Sequence, residues 1–355
     1  MSRTIHNYLM KLNWDKLPDL NGIESAHTKV VQKQLLAAMS QSGGENLDVY
    51  NRLEDLLTSV NTESYDWGDD IASIFSELRQ STKTPDIPFL LRLLCDFFDI
   101  EDDHNLLPFA MMATLLAMVD NENPYHNNHH FFEVICMVIK LCIIHNALEG
   151  DQELSLSNDD ILILFISACI HDFDHKGKGN LIDGKHFPSL VEMRSCAHAK
   201  PFFIHVGMPE KEFDKIESLI ICTDVSRGDF GSSPAKQARD IFLSHAHENV
   251  KVSNLNYLYK TLIDDKKMSL MALLLAEADI AMSSALTYEF SKDMTRLVAS
   301  ESQVLRPSAK TLYGFMEVIC HGGFLSRAAN LVFGQNFQAI LLEAQADSEK
   351  DVLYS

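Results

Sequence analysis

The feature that most limits how this chain can fold is a helical spacing of apolar residues, repeated along most of its length. Apolar side chains recur three and four positions apart in segments such as Leu107–Val119 and Asn158–Ile170, which is the spacing of one face of an α-helix. Alternating β-branched runs bounded by Asn-Gly or Asp-Gly, the usual signal of hairpins, are missing. The sequence therefore predicts an all-α protein, built as a compact multi-helix domain.

The periodic segments predict the individual helices, with ends placed to within a few residues. They are Ser25–Ser40, Leu47–Val60, Asp70–Gln80, Pro88–Phe98, Leu107–Val119, His130–Leu148, Asn158–Ile170, Pro188–His205, Pro209–Cys222, Pro234–Ala246, Tyr257–Ile263, Met268–Ser300 and Ala309–Gln345.

Charge and cysteine content narrow the classes of function. A net charge of −20 argues against a nucleic-acid backbone or an anionic membrane as partner. No apolar run approaches the roughly 18 residues of a membrane span, and Met1–Asp15 has no signal-peptide pattern. The seven cysteines include no Cys-x-x-Cys pair, which indicates reduced core thiols in a cytoplasmic protein.

A dense group of metal-ligand side chains follows the apolar run Ile161–Ile170. His171, Asp172, Asp174 and His175 lie within five residues, and imidazole and carboxylate are the ligands that divalent metals take from proteins. The alternative is a polar helix end that faces solvent. We favour a metal site, because four ligand-type side chains rarely gather in five residues without a use.

Two further elements carry candidate ligands. His126 and His130 are four residues apart, so a helix beginning here would present both on one face; the alternative is a polar helix cap. Asp279 lies in the apolar stretch Met268–Ala285, where a buried carboxylate needs a cation or hydrogen bonds, although a single buried aspartate is usually structural. We expect the nearby Glu277 to be the exposed carboxylate of the two.

Collected, His130, His171, Asp172 and Asp279 form the His…His-Asp…Asp pattern of the HD metallophosphohydrolases. More specifically, the chain resembles the catalytic domain of the class I cyclic nucleotide phosphodiesterases. The matching motifs are Tyr125-His126-Asn127-x-x-His130, His171-Asp172-x-Asp174-His175 with Gly177 and Asn180, Glu192, Thr223-Asp224, and Gly314-Phe315-x-x-x-Ile319-x-His321. The resemblance implies a catalytic domain over residues 45–346, with an N-terminal extension or extra helix at 1–44 and a tail at 347–355.

The resemblance also implies roles for these residues. His130, His171, Asp172 and Asp279 would hold Zn²⁺ or a similar ion, and Asp172 would bridge to a second ion, Mg²⁺ or Mn²⁺. A hydroxide bridging the two metals would attack phosphorus, and His126 would protonate the leaving oxygen. The residues that would support the metals and their waters from outside are His175, Asn180, Glu192, Thr223 and Asp224.

The part of the family pattern that recognises the base is altered. Where the family has a glutamine that hydrogen-bonds the purine, this chain has Leu312, three residues before the base-clamping Phe315. The family's Ala-Asp-Leu-Ser-Asn-Pro is replaced by a segment with Ile280 and Met282, so a base-reading asparagine is lost. Together with Tyr125, these residues are the predicted substrate-binding set, and we expect atypical base recognition.

Three functions remain open from the sequence. The first is hydrolysis of a 3′,5′-cyclic nucleotide to the 5′-monophosphate, with a small-molecule phosphodiester as the only expected partner, although an oligomer is possible. The second is an HD-type phosphohydrolase acting on a different phosphate ester. The third is a catalytically idle metal-binding relative, which the complete ligand set argues against.

Overall fold

A computed structural model of the chain describes residues 47–60, 67–81, 84–150, 152–177, 179–183, 185–226, 232–246, 259–302, 306–350 and 352–354. The predicted extension over residues 1–44, with its helix Ser25–Ser40, lies outside these ranges.

The described residues form an all-α structure, which confirms the predicted fold class. The helices are α1 (Leu47–Thr58), α2 (Trp67–Gln80), α3 (Ile87–Phe97), α4 (Leu107–Ala117), α5 (Asn128–Glu149), α6 (Asn158–Ile170), α7 (Leu190–His205), α8 (Glu210–Ile220), α9 (Pro234–Ala246), α10 (Lys260–Asp264), α11 (Lys266–Ser284), α12 (Tyr288–Ser302), α13 (Ala309–Gly314) and α14 (Arg327–Ser348).

The centre of the fold consists of helices that are apolar on all sides. α5 packs against α6 and α11, and α6 also packs against α4. α5 is long and apolar enough to cross a membrane by length and composition alone, but most of it is buried inside the protein. A helix that is apolar all round is typical of a protein core, and these central helices hold the candidate site in place.

The predicted single helix Met268–Ser300 is wrong, because the chain bends by 100° between α11 and α12. The side chain of Thr287 caps the new helix by accepting a hydrogen bond from the Phe290 amide at 3.1 Å. The carbonyl of Leu286, freed at the bend, accepts a hydrogen bond from the Asn336 side chain at 3.1 Å. Apolar spacing continues through the bend, so the sequence pattern did not reveal it.

The predicted helix Ala309–Gln345 is also interrupted. α13 runs into a π-helical turn over Phe315–Ile319, and His321 and Gly322 then adopt left-handed backbone conformations with φ of 53° and 70°. Ser326 caps the helix that follows by accepting a hydrogen bond from the Ala329 amide. A two-stranded hairpin pairs Leu181–Ile182 with Lys185–His186, which the sequence did not predict.

Candidate metal centre

The four predicted ligands come from the central helices. His130 lies in the first turn of α5, where the Asn127 side chain caps the helix by accepting hydrogen bonds from the His129 and His130 amides. His171 and Asp172 directly follow the C-terminus of α6, and Asp279 lies in α11. Because these helices pack against one another, they bring together residues that are about 150 positions apart in the sequence.

The ligand atoms converge on one point. His171 Nε2 lies 3.3 Å from His130 Nε2 and 3.1 Å from Asp172 Oδ2, while His130 Nε2 lies 3.5 Å from Asp172 Oδ2 and 3.4 Å from Asp279 Oδ1. Zinc bonds of about 2.0–2.1 Å in tetrahedral geometry place neighbouring ligand atoms about 3.3–3.4 Å apart. His171 Nδ1 donates to the Ala168 carbonyl at 2.8 Å, which leaves the lone pair of Nε2 for a metal. The donor set therefore fits a divalent ion.

The burial of the two acidic residues of α11 corrects one expectation from the sequence. Glu277 is buried, whereas the side chain of Asp279 is 20% exposed. His130 and His171 are fully buried and Asp172 is nearly so. Two histidines and two carboxylates therefore line a centre that opens to solvent on the side of Asp279.

The carboxylates and imidazoles of the centre shift one another's pKa values. Burial alone would lower the pKa of His171, but the charges of Asp172 and Asp279 outweigh burial and raise this pKa to about 9. Burial would raise the pKa of Asp172, but the neighbouring histidines hold it well below its usual range. Asp172 thus stays ionised beside a protonated imidazole.

Metal binding is expected to release protons, because a ligating imidazole must be neutral. In the metal-free protein at pH 7, His171 with its pKa of about 9 carries a proton, so we expect release of about one proton per ion at pH 7 and almost none well above pH 9. Metal affinity should rise with pH across the same window. Calorimetry in two buffers of different ionisation enthalpy measures this release, and a binding heat at pH 7 that is independent of the buffer would contradict it.

His126 lies beside the centre and is paired with Glu301, which the sequence interpretation missed. His126 Nδ1 donates to Glu301 Oε1 at 2.5 Å, and the other carboxylate oxygen accepts from the Tyr125 and His126 amides at 3.0 and 3.1 Å. Burial would raise the pKa of Glu301, but these hydrogen bonds and the charge of His126 lower it to about 2. His126 Nε2 points to the metal site, 3.7 Å from Asp172 Oδ2.

One sequence signal could have revealed Glu301. It falls on the helical stripe of Phe290, Met294 and Leu297, the side of α12 that packs on the core. A carboxylate on an otherwise apolar stripe requires a buried partner, but the helical pattern does not identify which residue that partner is.

His175 stacks on His126, with ring centroids 4.1 Å apart. Burial, and next the charge of His126, lower the pKa of His175 to about 4, so it is neutral at pH 7. Its Nδ1 accepts a hydrogen bond from the Gly177 amide at 3.0 Å, and Asn123 donates to its carbonyl at 2.7 Å. The polar atoms of His126, His175 and Glu301 lie close together, but stacked rings do not aim their lone pairs at a common point, so this trio suits proton transfer better than metal binding.

Three of the predicted supporting residues hold the backbone around the centre. The Asn180 side chain accepts from the Val191 amide at 2.7 Å, and Asp224 accepts from the Ser189 amide at 2.7 Å. The Thr223 hydroxyl donates to a carbonyl of its own helical turn. The contacts of Asn180 and Asp224 fix the start of α7, the helix that carries Glu192.

Glu192 marks a second place for a cation. Burial, and then the charges of Asp224 and Asp172, raise its pKa well above the usual range. Its Oε2 is buried and has no hydrogen-bond partner among the described residues. A cation or its bound water beside Glu192 would supply the partner that Oε2 lacks and would offset the charges of Asp224 and Asp172. A second divalent ion next to Asp172 fits this arrangement.

The predicted substrate-binding residues differ in accessibility. Leu312 and Met282 are only 1% and 0% exposed, so they belong to the core behind any pocket wall. Tyr125 is also buried, with its hydroxyl hydrogen-bonded to Ser283 at 2.6 Å and its ring 4.6 Å from that of His130. Ile280 and Phe315 are half-buried. Their role in binding stays a prediction.

Comparisons with known proteins find relatives of this site. A family model described as 3′5′-cyclic nucleotide phosphodiesterase matches residues 125–186, the stretch with the first two motifs. The high affinity cGMP-specific 3′,5′-cyclic phosphodiesterase 9A of Mus musculus is 30% identical over 146 residues, which cover 35% of this chain and 26% of the relative. The Homo sapiens protein of the same name is 28% identical over 146 residues, covering 35% and 24%. The match thus spans about a quarter of the length of these relatives.

The fold is similar to that of solved structures. The structure of LmjPDEB1 in complex with IBMX has a TM-score of 0.54 at 16% sequence identity, and the match covers 90% of this chain and 98% of that chain. At this identity the likeness supports the arrangement of helices, while the family model and the motifs it contains support the site.

Proposed function

We propose that this chain, which carries a divergent class I cyclic nucleotide phosphodiesterase catalytic domain, hydrolyses a 3′,5′-cyclic nucleotide to the 5′-monophosphate. The observation that supports this most is the complete ligand set His130, His171, Asp172 and Asp279, with the His126–Glu301 pair beside it. Zn²⁺ or a similar ion would bind to these four ligands. Mg²⁺ or Mn²⁺ would bind on the side of Asp172 that faces Glu192. When bound, the two metals supply an activated water and neutralise the charge of the phosphate.

The protein's own part in the chemistry is proton delivery. With Nδ1 of His126 donating to Glu301, the proton that His126 would deliver is held on Nε2, the atom that faces the metal site. The ionised Glu301 stabilises the protonated imidazole and holds its orientation. His126 would then give its Nε2 proton to the 3′-oxygen as the bond between that oxygen and phosphorus breaks.

Base recognition would be weak in this chain. The positions where the family places amides are occupied by Leu312 and Met282, which are apolar and buried. The half-buried Phe315 can stack on any base, since every base has a π-face. This observation also favours the second candidate, an HD-type phosphohydrolase that acts on a phosphate ester without a purine.

A substrate panel tests the proposal. We expect turnover of cyclic AMP and cyclic GMP in the presence of Mg²⁺ or Mn²⁺, with kcat/KM values within about tenfold of each other, because the amide contact worth roughly 1–3 kcal/mol of discrimination is absent. The panel includes cyclic pyrimidine nucleotides and bis(nitrophenyl) phosphate. Turnover of the aryl ester alone would favour the second candidate, and no turnover with full metal occupancy would favour an idle relative.

The state of the cysteines bears on the cellular compartment that we propose for the protein. All seven are free, and six of them are buried. This pattern supports the proposal of a reducing, cytoplasmic environment.

A further inference from the structure

A buried carboxylate two residues before a metal ligand has no part in the proposed chemistry. Glu277 of α11 is only 3% exposed. Its carboxylate accepts hydrogen bonds from the Leu325 amide and from the Ser326 amide, the latter at 3.2 and 3.3 Å. Ser326 is the cap of α14, so Glu277 places a negative group at the positive end of a 22-residue helix, where an anion is stabilised.

The partners of Glu277 belong to residues 320–326, which connect the π-helical turn to α14 and are called the linking loop here. Other side chains hold the same loop by its carbonyl groups. Arg239 donates from α9 to the Gly323 carbonyl at 2.9 Å, and Gln338 donates from α14 to the Gly322 carbonyl at 2.9 Å. Because three loop residues have positive φ, these contacts replace the hydrogen bonds that a regular helix would make.

The other end of the linking loop continues directly from the π-helical turn. The Cys320 amide donates to the Phe315 carbonyl at 3.1 Å, and the Gly322 amide donates to the Met316 carbonyl at 3.2 Å. The loop is therefore attached to α11 through Glu277 and to the turn that begins with Phe315.

We propose that Glu277 is a positioning residue that fixes the linking loop, and with it Phe315, relative to the metal ligand Asp279. α11 carries both carboxylates, so one rigid helix holds the metal through Asp279 and the loop through Glu277. The step to substrate binding rests on the proposed function, because it assigns the base to Phe315. Glu277 then sets the position of the base-stacking ring relative to the metals, and that position matters more for a substrate that carries a base than for an aryl phosphodiester, which has none.

The test compares Glu277→Ala, Glu277→Gln and the wild type. We expect Glu277→Ala to raise KM for a cyclic nucleotide roughly ten- to a hundredfold, the range expected from a displacement of about 1 Å. Its turnover of bis(nitrophenyl) phosphate and its metal content should stay close to wild type. Glu277→Gln should have a KM close to that of the wild type, because an amide oxygen can accept hydrogen bonds from both loop amides. Arg239→Met, which releases the same loop from α9, should raise KM in the same direction.

Hydrogen exchange of the linking loop provides a readout that needs no turnover. We expect the Leu325 and Ser326 amides to exchange faster in Glu277→Ala than in Glu277→Gln, and the matched change Glu343→Gln at an exposed site of α14 to have no effect. Unchanged KM and unchanged exchange in Glu277→Ala would overturn the inference, as would an equal loss on both substrates. If the wild type hydrolyses no cyclic nucleotide, the proposed function fails, and exchange then decides whether Glu277 positions the loop.

Discussion

Replacement of Asp279 by alanine is expected to abolish hydrolysis and to lower the metal content of the purified protein. Its Oδ1 lies 3.4 Å from His130 Nε2 and 3.9 Å from His171 Nε2, so its loss removes one of two negative charges that balance the ion. Loss of a group that merely supports a ligand lowers metal affinity or activity by about 10- to 100-fold. Loss of a ligand itself should therefore lower metal affinity by more than about 100-fold. Asp172→Ala should have at least as large an effect, because Asp172 would contact both ions.

Metal analysis and turnover of the same preparation check this expectation. Asp264→Ala removes an exposed carboxylate at the end of α10 and serves as the matched control, with wild-type metal content and activity. Full metal occupancy and normal turnover in Asp279→Ala would show that the ion, if any, is held elsewhere.

Replacement of His126 by alanine is expected to leave the metals bound but to slow hydrolysis of a cyclic nucleotide by about 10²- to 10⁴-fold, the usual contribution of a general acid. The ribose 3′-oxygen is a poor leaving group and needs a proton. Nitrophenolate leaves without one, so the same variant should be far less impaired on bis(nitrophenyl) phosphate. Glu301→Gln should slow the reaction in the same direction but less, because it removes the charge that stabilises protonated His126.

The dependence on the leaving group separates proton delivery from a structural role. A misfolded or metal-depleted variant loses activity on both substrates, so equal losses in His126→Ala would assign His126 another purpose. Wild-type activity of Glu301→Gln on the cyclic nucleotide would show that the 2.5 Å contact between Glu301 and His126 does not support catalysis.

The convergence of the four candidate ligands was predictable because each one violates a local pattern. His171 and Asp172 end an apolar helix, and Asp279 interrupts one, so each requires a partner that its own segment does not supply. Glu301 is 175 residues from His126, and the only signal is its place on the apolar stripe of α12. The burial of Glu277 was not predictable, because its partners are the backbone amides of Leu325 and Ser326, which carry no sequence signal.

The helices themselves were predictable from apolar spacing, and the pair Gly322-Gly323 marks the second interruption as a helix stop, but apolar spacing alone marks neither interruption. The spacing continues past Ala285 and past Ile319, so nothing in it marks the bend before α12 or the linking loop. Both breaks depend on distant contacts: the Asn336 side chain at the first, and Glu277 and Arg239 at the second. The first break also sets the direction of α12, which carries Glu301 to His126, and this is why the site was only partly predictable.

The most direct measurement is hydrolysis of a cyclic nucleotide by protein that has been stripped of metal and then reloaded, in water enriched in ¹⁸O. We expect no turnover without metal, recovery on addition of Zn²⁺ with Mg²⁺ or Mn²⁺, and a 5′-monophosphate whose phosphate carries one ¹⁸O atom by ³¹P NMR. A 3′-monophosphate as product, ¹⁸O in the ribose, or turnover of the cyclic nucleotide that is unaffected by metal removal would contradict metal-dependent attack of water on phosphorus.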